Sequence, residues 1–189
     1  NSVSIADAMQ ANLHELGIDQ ATVFNNDSNA TVSGVPANTI EVTVGEISPA
    51  ITDDMIAQVI LSTNSMGCST FGTTTVAITD TQGVSHNISF TKATQFDVQM
   101  AINITFLDPD FAGAEESIKA ALIAHVNSLE AGADVVWSRL FQYITAFGEA
   151  QINSLTIGEL GGTLSASNIV IAAGKYTNLV DADITITVV

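Results

Sequence analysis

The apolar positions of this chain change period several times. From Ser4 to Leu16 the residues Ile5, Met9, Leu13 and Leu16 fall at helical spacing, with Ser4 placed to cap the start and Gly17 to stop the end. Ala21 to Phe24 is a brief strand, and Asn25 to Pro36, rich in Asn, Ser, Asp and Gly, is a loop. Thr39 to Val44 alternates Ile40, Val42 and Val44 against Thr39, Glu41 and Thr43, the pattern of a strand with one wet face. Thr52 can cap a helix carrying Asp53 and Asp54 in its first turn. Ile51 and Ile56 are spaced for a hydrophobic staple, and Ile56, Val59, Ile60 and Thr63 form the inner face. Thr74–Thr79 and Val84–Phe90 flank Asp80-Thr-Gln-Gly83, a hairpin with turn residues at the reversal.

The second half opens on the longest alternation, Gln95 to Phe106. Phe96, Val98, Met100, Ile102, Ile104 and Phe106 share one side of it, and polar or small residues share the other. After an Asp108-Pro109-Asp110 break, Ile118, Leu122, His125 and Leu129 line a helix ending near Gly132, and a shorter helix runs from about Val135 to Phe147. Strand signals return at Ile152–Ile157 and at Ile184, Ile186 and Val188, with a short strand expected at Asn168–Ala172 between them. The halves read α-β-β-α-β-β over 1–92 and β-α-α-β-β(-β) over 93–189. Helices grouped between strands favour an α+β fold of two small sandwich-like domains, with mixed or antiparallel sheets and helices packed on one face.

Charge narrows the possible roles. The chain has 189 residues and a formal net charge of −16, and Lys92, Lys119, Arg139 and Lys175 stand far apart, so no basic stripe exists to track phosphates. Only 13% of residues are charged and 47% are hydrophobic, too apolar for a disordered acidic tail. No apolar run approaches the ~20 residues that span a bilayer. The start, Asn1-Ser-Val-Ser4, lacks the basic and apolar regions of a signal peptide, and a first residue other than Met suggests a piece of something longer. Identical copies at this charge repel, so their close packing calls for cationic partner surfaces, salt or counterions.

Candidate chemistry is sparse, and no catalytic, cofactor or metal residues are assigned. Cys68 is the single cysteine and reads as a small buried thiol. His14 and His86 read as solvated, and His125, on its helix's apolar stripe, as a hydrogen-bonded core or interface histidine. Asp53-Asp54 and Glu115-Glu116 sit where helix N-termini favour negative charge. Asp108/Asp110 and Asp181/Asp183 lack the regular calcium loop with its terminal Glu. Gly158-Glu-Leu-Gly-Gly162 lacks the ending of a phosphate loop and reads as a flexible connection. Trp137, Phe141, Tyr143 and Phe147 read as packing residues. Glycosylation acceptor patterns begin at Asn29, Asn87 and Asn103, but they matter only in a secreted eukaryotic chain, which nothing supports.

An ordered series of short motifs nevertheless points to a relative. Gly34-Val-Pro-Ala-Asn-Thr-Ile-Glu-Val-Thr-Val44, Asp53-Asp-Met-Ile-Ala-Gln-Val-Ile60, Gly67-Cys-Ser-Thr-Phe-Gly72, Val76-Ala-Ile-Thr-Asp-Thr-Gln-Gly83 and Ile88-Ser-Phe90 resemble the baseplate J-like proteins of contractile-tailed phages and related injection machines. The resemblance is strongest from Gly34 to Thr91. It departs at Lys92-Ala93, where an Arg-Pro pair is common, and family members usually continue upstream of Asn1. It implies a wedge component of a virion tail baseplate, assembled in the bacterial host cytoplasm. Its partners would be copies of itself and other baseplate proteins in a sixfold ring around the hub, with no cofactor, membrane or nucleic acid. It transfers no catalytic residue. Two other classes remain: a hydrolase, if Asp108, Asp110, Asp181 or Asp183 converge in a cleft, and a receptor or glycan-binding tail module, if Trp137 or Tyr176 rims a shallow groove.

Overall fold

The computed structural model of the chain describes residues 4–45, 47–64, 68–107, 113–148 and 150–189. It is an α+β fold with helices packed on mixed sheets, and the chain divides into two compact units, Asn1–Thr94 and Gln95–Val189.

In the first unit, α1 (Ile5–Glu15) begins with a full capping box: Ser4 Oγ accepts from Asp7 N at 3.1 Å, and Asp7 Oδ2 accepts from Ser4 N at 3.4 Å. α2 (Asp53–Thr63) starts from Thr52, whose hydroxyl accepts from Met55 N. Both helices lie on one face of a five-stranded sheet made of β1 (Ala21–Asn26), β2 (Thr39–Val44), β3 (Ser69–Phe71), β4 (Thr74–Thr79) and β5 (Ser85–Lys92), in the order β1-β2-β5-β4 with β3 paired to β2. Met9, Leu13, Ile56 and Ile60 bury against Ile40, Val42, Val44 and Phe90, each such side chain contributing about 1.5–3 kcal/mol over its exposed state.

Three details differ from the sequence reading. β1 runs to Asn26, because the Asn26 amide nitrogen donates to the carbonyls of Ala30, Val35 and Pro36 and ties the following loop to the strand. β2 has no fully wet face: Thr39 and Thr43 are buried and only Glu41 is half-exposed, since β2 is an inner strand flanked on both sides. β3 was not anticipated; its three residues are too few to show a period.

The second unit is built on β6 (Thr94–Phe106), whose Val98, Met100, Ile102 and Ile104 are buried as the alternation predicts. β7 (Ala150–Glu159) runs antiparallel along one side of β6. β8 (Lys175–Asn178) and β9 (Ile184–Val188) take the other, β9 in parallel with Met100 opposite Ile184. α3 (Glu115–Asn127) and α4 (Trp137–Thr145) cover the apolar face.

The second unit also departs from its sequence pattern. The buried stripe of α3 is Ile118, Leu122 and Val126, so His125 lies beside it, and the helix ends at Asn127 rather than near Gly132. α4 begins at Trp137 because Val135 is spent on a bridge to Ile169, and Asn168 Oδ1 accepts from Trp137 N at 3.0 Å as a cap borrowed from a distant loop. That bridge is the one β pairing within 168–172, and the true strand is β8, held by Thr177 Oγ1 donating to Val126 O at the end of α3. Gly158-Glu-Leu-Gly-Gly162 is the end of β7 and an ordered turn, with Leu160 N donating to Asp97 O and Gly162 N to Glu159 O. A side chain at Gly158 would lie 2.6 Å from Thr163 O, which accounts for the glycine. β6 is an inner strand, paired with β7 on one side and with β8 and β9 on the other.

Candidate functional site

Several of the described residues with chemical potential are engaged in structure. His14 is exposed, but His86 is not simply solvated: its Nε2 lies 2.9 Å from Asp80 Oδ2. Asp80 Oδ1 accepts from Gln82 N and Val84 N, so one carboxylate closes the hairpin turn. The His86 hydrogen bond, with those backbone donors, holds the Asp80 carboxyl below its ordinary value. A general acid needs the opposite shift. The pair borders an open cleft of about 960 Å³ of mixed character, lined by Leu61, Asn64, Cys68, Asn87, Ile88 and Ser89 among others. The Ser89 hydroxyl is engaged with Thr75 Oγ1 at 2.9 Å, and Cys68 is half-buried rather than buried.

Among the described residues, the carboxylates that come close to another charged group do so in ion pairs with lysines. Asp53, in the first turn of α2, binds Lys92 Nζ at 2.6 Å. Asp181, in a single 3-10 turn before β9, lies 3.1 Å from Lys119 Nζ, and Glu116 lies 3.5 Å from the same nitrogen. Asp108 and Asp110 lie outside the described residues, among which no cluster of three His, Cys, Asp or Glu is arranged to hold a metal ion. Trp137, Phe141, Tyr143 and Phe147 pack against the core of the second unit. Trp137 Nε1 donates to Leu155 O, its ring meets Phe141 edge-on at 4.7 Å, and Tyr176 Oη donates to Gln95 Oε1.

His125 stacks on Tyr143 with ring centroids 4.3 Å apart. Burial, with the Arg139 charge adding to it, holds its imidazole below the ordinary value of 6.5. The unfolded chain therefore takes up this proton at higher pH than the folded chain. The stability is complete above about pH 6.5 and falls as pH drops below it, until the folded imidazole itself titrates. Denaturant midpoints measured from pH 8 to pH 5 should fall in the native chain and fall less in His125→Gln. An equal fall in both would assign the pH dependence to other groups.

What distinguishes the molecule is where charge is absent. On the sheet face opposite α1 and α2, register aligns Thr22, Thr43 and Thr91 in one row and Phe24, Glu41 and Phe71 in the next. β4 and β5 extend this face with Thr75, Ala77, Thr79, Ser85, Asn87 and Ser89. Glu41 is the one ionisable side chain these strands place there. In the second unit the face of β6 opposite its helices carries Asp97, Gln99, Ala101, Asn103 and Thr105, of which Asp97 alone is ionisable, and Asn153 Nδ2 donates to both Asn103 Oδ1 and Thr105 Oγ1. Alternation made the polarity of these faces readable, but their near-neutrality in so acidic a chain emerges only when the strands are assembled. Such faces can meet another protein without setting like charges against each other.

No family model and no curated protein matches this chain. Among solved structures it is similar to a chain of the cryo-EM structure of the anti-feeding prophage (AFP) baseplate, 6-fold symmetrised, with a TM-score of 0.53 and 15% identity over 92% of this chain. The likeness is one of fold. This chain spans 36% of the length of that one, so it corresponds to part of a larger polypeptide there. No helix among the described residues is long and apolar enough to cross a membrane.

Proposed function

We propose that this chain is a structural component of a contractile tail baseplate, of a phage or of a phage-derived injection device, and that it corresponds to part of a baseplate J-like wedge protein. Its two units act as domains that dock against neighbouring wedge subunits, including other copies of itself, in a ring around the hub, and it works by fitting rather than by catalysis. The observation that carries this reading is the shared fold with a baseplate chain over nearly the whole of this one. The motif series from Gly34 to Thr91 and the nearly neutral sheet faces support it.

The test is to purify the intact particle from cells producing a tagged form of this chain and to image it. The expected result is density for both units repeated around the baseplate axis. Particles complete without the chain, or the chain placed in the sheath, tube or fibres, would overturn the assignment.

A further inference from the structure

The row Phe24–Glu41–Phe71 stands apart from the rest of the first unit's open face. Phe24 on β1 is the register partner of Glu41 on β2, and Phe71 on β3 is its partner on the other side, so the three side chains leave the sheet in the same direction as neighbours. Both rings are unusually open for their type, Phe24 at 41% and Phe71 at 37% exposed, on a face otherwise made of small polar residues. Between them the Glu41 carboxylate is half-buried on an inner strand. No cation lies within ion-pair distance of it among the described residues. Burial raises its pKa, and no compensating charge or hydrogen bond opposes that rise.

A carboxylate flanked by two aromatic side chains selects a particular group. A planar guanidinium or an ammonium can pair with the oxygens while its flanks lie against the rings, combining a charge-assisted hydrogen bond with cation–π contact. An apolar partner would leave the carboxylate desolvated and unpaired, and an acidic one would be repelled. The chain itself is poorly supplied for this role. Lys92 and Lys119 are held in ion pairs and Lys175 lies 5.2 Å above the Phe96 ring, which leaves Arg139 as the one exposed Lys or Arg side chain outside such contacts among the described residues.

We infer that the Phe24–Glu41–Phe71 row is a docking site for an arginine or lysine side chain presented by a different, more basic protein chain. This deepens the assembly reading by naming the chemistry of one neighbour, and it rests on that reading only for where the neighbour is found.

The test is a titration of the whole chain with acetyl-Gly-Arg-Gly-amide, followed by amide and ring NMR shifts, with the norleucine tripeptide as control. Saturable shifts centred on Phe24, Glu41 and Phe71 are expected for the arginine peptide alone. Binding should weaken about tenfold in Glu41→Gln and severalfold in Phe24→Leu or Phe71→Leu. Asp54→Asn, which removes the same charge from an exposed position on α2, should leave it unchanged. Equal shifts with the norleucine peptide, or shifts spread over the acidic surface and indifferent to Glu41→Gln, would overturn the site. Sedimentation without peptide supplies a second arm: self-association abolished by both Glu41→Gln and Arg139→Gln would show the occupant to be a second copy and overturn the choice of a different chain. Because the titration needs no particle, its failure leaves the baseplate reading to imaging, and the reverse also holds.

Discussion

Replacing Phe90 by alanine should cost the first unit about 3–5 kcal/mol, the usual penalty for emptying an aromatic site in a close-packed core. Phe90 is fully buried on β5 and meets the apolar stripes of the helices together with Ile40, Val42 and Val44 on β2. The cavity cannot close cheaply, because helices and strands that are themselves capped and hydrogen-bonded surround it. A domain of this size is stable by only about 5–15 kcal/mol, so the change removes a large share of the total. The thermal midpoint should fall by more than about 10 °C, on the usual conversion of 4–8 °C per kcal/mol for a domain of up to about 100 residues. Circular dichroism melts check this, with Phe90→Leu expected between the alanine variant and the native chain. A fall of only a degree or two in the alanine variant would mean that the site collapses or is wetter than its burial indicates.

Gly72→Ala should be as damaging for a different reason. An added Cβ would sit 2.2 Å from the carbonyl carbon of Phe90 and 2.5 Å from its Cα and oxygen. These are main-chain atoms of β5, so no rotamer change relieves the overlap and the bend between β3 and β4 must lift away from the sheet. We expect a loss of about 3 kcal/mol, at the upper end for overpacking. The double variant discriminates between causes: shrinking the Phe90 ring leaves its backbone in place, so Phe90→Ala should not rescue Gly72→Ala. Denaturant midpoints of the two single variants and the double variant check this, and recovery of stability in the double variant would show that the ring was the obstacle.

Where a segment had both a period and a punctuating residue, its structure could be read in advance. Ser4 and Gly17 bracket α1, Thr52 opens α2, Asp80 and Gly83 make the hairpin, and the alternation of β6 gives its buried side directly. Other features depend on contacts made far along the chain. β3 and β8 are too short for a pattern and exist because β2 and β6 offer them partners. The cap that starts α4 comes from Asn168, which local spacing cannot reveal. On α3, both His125 and Val126 fit a helical stripe from Ile118. Val126 is the buried one, while His125 stands at the margin against Tyr143 of α4, a choice made by the neighbouring helix.

The same dependence explains the candidate site. Glu41 read as an ordinary wet-face residue of a strand, because Phe24 and Phe71 lie far from it in sequence and meet it only through strand register. No spacing rule links the three. The signal available was Glu41 itself, a carboxylate within a run of β-branched residues, a place strands seldom give to acids.

The placement of β6 also governs the order in which the second unit can form. Its antiparallel neighbour begins at Ala150, and its parallel neighbour pairs Ile184 with Met100, so the longest strand is made early and must wait for both partners. The β4–β5 hairpin of the first unit closes between adjacent segments. During synthesis the first unit can therefore assemble from contacts already in hand, while β6 leaves the ribosome with bare edges on both sides. Collapse onto α3 can cover only the apolar face of β6, so its edges stay open until β7, β8 and β9 arrive, and shielding them in the interval is the requirement that this topology places on the cell.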